Sequence, residues 1–357
     1  MKILHTEWMG VQGGQAFRVL EDLKIIREIG FTPFLASKPE VWLSKEAVKE
    51  NIRFFPISFS HIADLRSMYK LYKIIKENQI NIVHTHSSKD SYIATLAAKM
   101  AGAKVVRSRH MELTKKPGVI YKMADYIITT GERVKNKFVV SGLDSNKIMS
   151  IPTYPDEIKF QASEKIRRDL QEEYETKNMI VIGMMTGLHM TKRPLSVVSM
   201  MKEIVAKNPH VKLLIAGKSF DDQMKKLNDL ISDSKLEKNV AFVGYVKPEV
   251  FLNVIDIYVC PSETEGVPQA LMQAMMMKKA AVSTNVGSIV DLNIEDNLIL
   301  VEKDDMQGLQ TALIRVVNDE ALRNGLSMKN YKVMQEHFSR NVMKQKMKKV
   351  YEKLCIK

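Results

Sequence analysis

The sequence predicts an α/β protein built from two doubly wound, Rossmann-like parallel-sheet domains in tandem. Three observations predict it. Short β-rich apolar runs alternate with amphipathic helical stretches along the chain, the pattern of parallel βαβ units. The alternation halts once, at IPTYPDEIKF (residues 151–160), where two prolines break the rhythm, and then restarts. The 357 residues, 45% of them apolar, supply mass for two hydrophobic cores. We therefore expect domains at 1–155 and 156–339, with a C-terminal helix at 340–357 packing back on the first.

In the first half, KILHT, FTPFLAS, INIVHTH, KVVRSR, YIITT and KIMSIP read as strands. QAFRVLEDLKIIREIG, IADLRSMYKLYKIIKEN, SYIATLAAKMAG and ERVKNKFVVSG read as the helices between them. In the second half the strands are MIVIGMM, VKLLIAG, VAFVG, DIYVCPS, AAVST and LILVE. Its helices are PLSVVSMMKEIVAK, SFDDQMKKLNDLISDS, PEVFLNV, PQALMQAMMMK and DMQGLQTALIRVVND. The closing stretch SRNVMKQKMKKVYEKL sets Met343, Met347, Val350, Tyr351 and Leu354 on one helical face, with lysines largely elsewhere. Each doubly wound sheet offers a ligand crevice beyond the carboxyl ends of its strands, and two such crevices facing each other make a cleft.

Composition narrows the class. Two cysteines, Cys260 and Cys355, support no disulfide framework and point to a reducing compartment. No signal peptide is expected from MKILHTEW, and no apolar run reaches the roughly 18 residues of a spanning helix. A cytoplasmic protein, or one peripheral to the membrane, is expected. The net charge of +13 is uneven, with 24 Lys+Arg against 14 Asp+Glu in residues 1–155 and 30 against 27 in the rest. A basic half suits an anionic partner, although a generally basic surface gives the same count. Nucleic-acid binding ranks last, because no such motif appears and aromatics are only 7%.

Candidate chemistry lies at the strand ends. Gly10, Gly13 and Gly14 of GVQGGQ join the first strand to the first long helix, where backbone and helix N-terminus favour an anion. They fail the GxGxxG spacing of a dinucleotide site. VVRSRHM places Arg107 and Arg109 on one side of a strand, followed by His110, which can hydrogen-bond a substrate hydroxyl. A surface histidine is the plain alternative. HTHSSKD carries His84, His86 and Lys89; the two histidines have metal-like spacing, but no third ligand is evident, so no metal is expected. The paired carboxylates of FDD and EKDD read as solvated turns. In GMMTGLHMTKRP, Lys192 and Arg193 flank a helix start, where a cation attracts a diphosphate; a solvated basic turn explains them equally. In PSETEGVPQALMQ the helix start at Gly266–Gln269 suits phosphate oxygens, and Glu265 can accept from sugar hydroxyls. Gln273 lies two turns on, with one acceptor oxygen and one amide donor.

Together these segments resemble a retaining glycosyltransferase of family 4 with the two-domain GT-B fold. GVQGG, HTHSSKD, RSRHM, IGMMTGLHMTKRP, LLIAG and FVGY fall in the family's order over nearly the whole chain. PSETEGVPQALMQAM followed by AAVSTNVGSIVDL is the strongest segment. The first half looks most like members that build bacterial envelope glycans. The resemblance implies a nucleoside diphosphate sugar donor and no metal or other cofactor. It implies Gly13 and Gly14 beside the donor phosphates, Lys192 on the diphosphate, His110 and Glu265 as the catalytic pair on the sugar, and Gln273 at the ribose. Gly266, Val267 and Arg193 complete the expected donor-binding set. Arg107, Arg109 and Lys89 form the expected acceptor-binding set, for an anionic or lipid-linked glycan at the inner membrane face.

Three departures stand out. The family usually has glutamate at Gln273 and arginine at Gly187, and an asparagine-glycine that the linker lacks. The competing readings are a transferase of lipopolysaccharide or envelope polysaccharide synthesis and a donor-site-degenerate partner subunit without catalysis. A sugar-nucleotide epimerase shares the fold.

Overall fold

A computed structural model describes residues 1–10, 13–61, 63–110, 116–186, 190–218, 221–266 and 268–354. Gly187, His189, Val267 and Cys355 lie outside the described residues. The chain forms two compact units, one of Met1–Thr153 with Asn341–Lys357, the other of Tyr154–Arg340.

The first unit begins β1 (Lys2–Glu7), α1 (Gly14–Glu28), β2 (Thr32–Ser37), α2 (Trp42–Lys49), β3 (Arg53–Pro56) and α3 (Leu65–Glu77). It continues β4 (Ile82–Thr85), α4 (Ser88–Ala101), β5 (Lys104–Arg109), α5 (Val119–Met123), β6 (Tyr126–Thr129), α6 (Glu132–Val140) and β7 (Ile148–Ser150). The strands form one parallel sheet in the order β3-β2-β1-β4-β5-β6-β7. The winding reverses between β1 and β4, so the loops after those two strands flank the crevice.

Strand periodicity sorts this unit's core. Leu4, Phe34, Val83, Val105 and Ile127 share one buried cluster, while Leu35 joins Val19, Leu23 and Leu43 in another. Helix α4 opens on a capping box, with Ser87 and Asp90 satisfying each other's backbone N–H groups, and closes on Gly102 at φ +81°.

The second unit runs α7 (Glu164–Glu173), β8 (Ile180–Met185), α8 (Pro194–Lys207), β9 (Val211–Ala216), α9 (Asp221–Asp233), β10 (Val240–Gly244) and α10 (Pro248–Phe251). Then come β11 (Ile257–Cys260), α11 (Gln269–Met276), β12 (Ala280–Thr284), β13 (Ile299–Val301), α12 (Met306–Asn318) and α13 (Glu320–His337). Its parallel sheet has the order β10-β9-β8-β11-β12-β13, with the reversal between β8 and β11. Two buried clusters, one around Met272, Met275 and Phe251 and one around Val197, Leu213 and Leu313, cover the two sheet faces.

Helix α14 (Arg340–Lys353) belongs to the first unit from Asn341 onward, with Met343, Met347, Val350 and Tyr351 buried. Among the described residues no helix is long and apolar enough to cross a membrane.

Five elements escape the sequence pattern, among them the five-residue α5. Strand β3 is short and ends in proline, and α2, just before it, is only eight residues long, too short to show a clear period. Helix α7 is nearly all charged, with only Leu170 buried. Helix α13 buries Leu326, Asn330, Val333 and Met334 at helical spacing, but an asparagine in the stripe hides the period. Asn330 is there because it donates to the Lys279 carbonyl at 2.8 Å and accepts from Asn297 at 2.8 Å.

Candidate active site

The second unit's site lies at its topological switch point. The ends of β8 and β11 and the start of α11 enclose a cavity of about 150 Å³, lined by residues that include Thr186, Lys192, Ser262, Glu265 and Gln269. Glu265 is held from three sides. Lys192 Nζ forms an ion pair with its Oε1, and Ser262 Oγ donates to the same oxygen at 2.7 Å. Its backbone is pressed against Gly287, where φ is +55°. The loop is tied further by Glu263 N donating to the Thr191 carbonyl at 2.8 Å and Thr284 Oγ1 donating to the Ser262 carbonyl at 2.6 Å.

Helix α11 starts at this cavity with Pro268 at its N-cap, no capping side chain and no acidic residue in its first turn. Its N-terminal N–H groups therefore carry uncompensated partial positive charge. Lys192, which is about a third exposed, adds a full charge beside them. The arrangement suits a dianion. Cys260, also lining the cavity, is a poor nucleophile: burial first, and the Glu265 carboxylate second, push its thiol up to about 11.

The expected donor residues divide. Lys192 and Glu265 line the cavity, and Gly266 follows Glu265 in the loop between β11 and α11. Gln273 sits half-buried on α11 outside the cavity lining. Arg193 is committed elsewhere: it takes the left-handed conformation at the N-cap of α8, pairs with Glu263 at 3.2 Å and Asp304 at 2.6 Å, and donates to the Lys303 carbonyl.

The first unit gathers its polar residues at its own switch point. Register brings His5 of β1 beside His84 of β4, and the two-residue strand period puts His86 on the same face. The result is a chain of buried hydrogen bonds. Ser108 Oγ lies 2.7 Å from His84 Nε2, and His84 Nδ1 lies 2.8 Å from the Tyr351 hydroxyl. Tyr351 continues to His5 Nε2 at 3.3 Å, His5 Nδ1 to His86 Nε2 at 2.9 Å, and His86 Nδ1 to His110 Nε2 at 3.1 Å. Each neutral imidazole donates from one nitrogen and accepts at the other, so one tautomer choice propagates along the chain. Burial pushes His5 and His110 down to about 3, and His84 and His86 fall too. His110 is thus a neutral, oriented imidazole rather than a free surface histidine.

Ligating atoms of His5, Asp22, His84 and His86 lie within 4.8 Å of one another, so the fold adds a third and a fourth candidate ligand, His5 and Asp22, that spacing did not reveal. The sequence did contain a signal, the matching tripeptides Leu4-His5-Thr6 and Val83-His84-Thr85 at the centres of adjacent strands. The donor set fits a metal poorly. His5 and His86 share one proton through facing nitrogens, and Asp22 pairs with the buried Arg18 at 2.7 Å, so a cation already occupies this cluster.

Gly13 and Gly14 start α1 with no capping side chain, and a β-carbon at either would meet nothing within 4 Å. The protein's own packing does not demand glycine there, whereas close approach of a ligand to the backbone would. Gln15 of the same turn donates to Glu7 at 2.5 Å and to Ser87 at 2.8 Å, fixing the loop to α4. Arg107 and Arg109 line a second cavity of about 230 Å³ in this unit, and Lys89 instead caps the Trp8 ring at 4.0 Å.

Known proteins match both halves. Residues 31–156 match the model of Glycosyltransferase Family 4, and residues 176–319 that of Glycosyl transferases group 1. The chain is 28% identical to the UDP-Gal:alpha-D-GlcNAc-diphosphoundecaprenol alpha-1,3-galactosyltransferase of Escherichia coli, over 90% of this chain and 89% of that one. It is 24% identical to the capsular polysaccharide biosynthesis glycosyltransferase CapM of Staphylococcus aureus, over 81% of each. Among solved structures, Anabaena Alr3699/HepE in complex with UDP superposes with a TM-score of 0.87 at 16% identity, over 99% of this chain and 100% of that one. The fold is GT-B.

Proposed function

We propose that this chain, which belongs to the family 4 glycosyltransferases, moves a sugar with retention from a nucleoside diphosphate sugar to a glycan or lipid-linked acceptor of the bacterial envelope. The observation that carries the reading is the Lys192–Glu265 pair at the uncapped start of α11. A donor diphosphate takes Lys192 and the α11 N–H groups, and leaves Glu265 able to accept from sugar hydroxyls. The charge developing on the leaving diphosphate is stabilised by Lys192 and the helix dipole, without a metal. A uridine nucleotide is the first candidate, since UDP is bound by the similarly folded HepE and UDP-galactose is named for the Escherichia coli relative.

The first unit takes the acceptor. Helix α3 exposes Leu65, Arg66, Tyr69, Lys70, Lys73 and Lys76 on its outer face, which suits an anionic membrane surface at roughly 1 kcal/mol per basic residue.

Gln273 motivates the second reading, a partner subunit with a weakened donor site. Calorimetric titration with UDP, GDP, UDP-glucose, UDP-N-acetylglucosamine and GDP-mannose, with EDTA present, separates the two. Binding by the wild type that is lost in Lys192→Ala supports the transferase. Binding seen only in Gln273→Glu supports the partner subunit.

A further inference from the structure

We propose that the first unit contains an oxyanion pocket centred on Arg107 that takes a phosphate group borne by the acceptor. The word acceptor rests on the transferase reading; anion binding itself does not.

Arg107 is 3% exposed, and its Nε and Nη1 are buried with no hydrogen-bond partner. A buried guanidinium that leaves two donors unmade forfeits its hydration without recompense, and such a group calls for a partner. The two nearby carboxylates do not serve. Asp90 is spent on Thr6 Oγ1 at 2.6 Å and on the backbone N–H of Ser87 at 3.0 Å and His86 at 3.3 Å. Glu7 is spent on Ser87, Gln15 and the Met9 N–H. The Tyr121 ring lies 5.5 Å from Arg107 Cζ and holds the guanidinium in place.

The surroundings fit an anion. Arg107 opens on the 230 Å³ cavity, which Arg109, Lys116, Ser88 and Ser91 also line. Three cations and the hydroxyls of Ser88 and Ser91, with no acidic residue in the lining among the described residues, match the charge and acceptor oxygens of a phosphate or diphosphate. The position is right as well, beyond the carboxyl end of β5, on the ligand side of the sheet.

The test is calorimetry with inorganic pyrophosphate on the full chain carrying Lys192→Ala, which removes the cation of the other cavity. Pyrophosphate should still bind. Adding Arg107→Gln should weaken it at least tenfold, and so should Lys116→Glu, an exposed charge reversal that keeps the fold even where Arg107→Gln does not. Farnesyl diphosphate in detergent micelles is the second probe: tighter binding than pyrophosphate assigns the pocket to a lipid-borne phosphate, and equal binding to a glycan-borne or free one. The site is overturned if Lys192→Ala alone abolishes pyrophosphate binding, or if Lys116→Glu and folded Arg107→Gln bind it as before. UDP binding by Lys116→Glu in the otherwise native chain should stay within twofold of wild type. Its loss would instead count against the assignment of donor and acceptor to separate units.

Discussion

A β-carbon at Gly287 would lie 1.8 Å from the carbonyl oxygen of Glu265. No side-chain adjustment relieves that contact, because the atom it meets is backbone. Gly287→Ala should therefore displace the Glu265 loop, lower UDP affinity at least tenfold, and cost the second unit about 1–3 kcal/mol. Calorimetry and thermal melting together read both effects. Native affinity in this variant would show that the loop does not shape the donor site.

Lys192 and Arg193 are adjacent but should fail differently. Lys192→Ala removes the cation in the cavity, and loss of a charged hydrogen bond predicts about 1.5–3 kcal/mol of diphosphate affinity. Arg193→Ala breaks the contacts to Glu263, Asp304 and Lys303 and should mainly lower stability, with donor affinity within about threefold of wild type. Equal losses of affinity in the two variants would mean that Arg193 also reaches the ligand.

Tyr351 belongs to the hydrogen-bonded histidine chain as well as to the hydrophobic face of α14. Tyr351→Phe keeps the ring and removes the hydroxyl between His84 and His5. The expected cost is about 1–3 kcal/mol, from imidazole nitrogens left without a partner. Nitrogen-15 NMR of the histidine side chains should show an altered tautomer balance as far as His110. Unchanged spectra would sever His110 from the chain.

Acid should destabilise the first unit before the second. His5, His84, His86 and His110 are depressed in the folded state, so their contribution is full above the ordinary value near 6.5 and is lost as pH falls toward 3. Buried carboxyls oppose this: burial raises Asp90 to about 8 and Asp22 to about 6, and raises Glu7. Their contribution is full at low pH and fades as pH rises through those values. The four imidazoles outnumber the three carboxyls, so stability should fall as pH drops from 6.5 toward 5. Trp8 and Trp42 both lie in the first unit, so urea unfolding followed by tryptophan fluorescence isolates it. A flat profile would contradict neutral buried imidazoles.

Charge on α3 gives a prediction for the surface. Arg66→Glu with Lys73→Glu and Lys76→Glu should abolish co-sedimentation with phosphatidylglycerol vesicles and leave UDP binding unchanged. Undiminished vesicle binding would remove α3 from any membrane contact.

Much of this protein is determined locally and is therefore legible in its sequence. Parallel strands buried on both faces must be apolar runs, so KILHT, VKLLIAG and DIYVC announce themselves, and the alternation with helices allows few topologies. Lys192 and Glu265 are also legible, because a strand end followed by a helix start fixes where such residues stand. Tertiary structure decided the rest, through contacts between residues far apart in the chain. His5, His84, His110 and Tyr351 become one hydrogen-bonded chain only when strand register and the return of α14 bring them together. Lys192 and Arg193 look alike as neighbours in a basic turn, and only the left-handed backbone at Arg193 turns one toward Glu263 and Asp304 and leaves the other in the cavity. Arg107 reads as an acceptor-binding candidate at a strand end, but its burial is visible only once the chain has folded. Burial removes water from its donors, and desolvation is a property of the assembled molecule that no local stretch of sequence encodes.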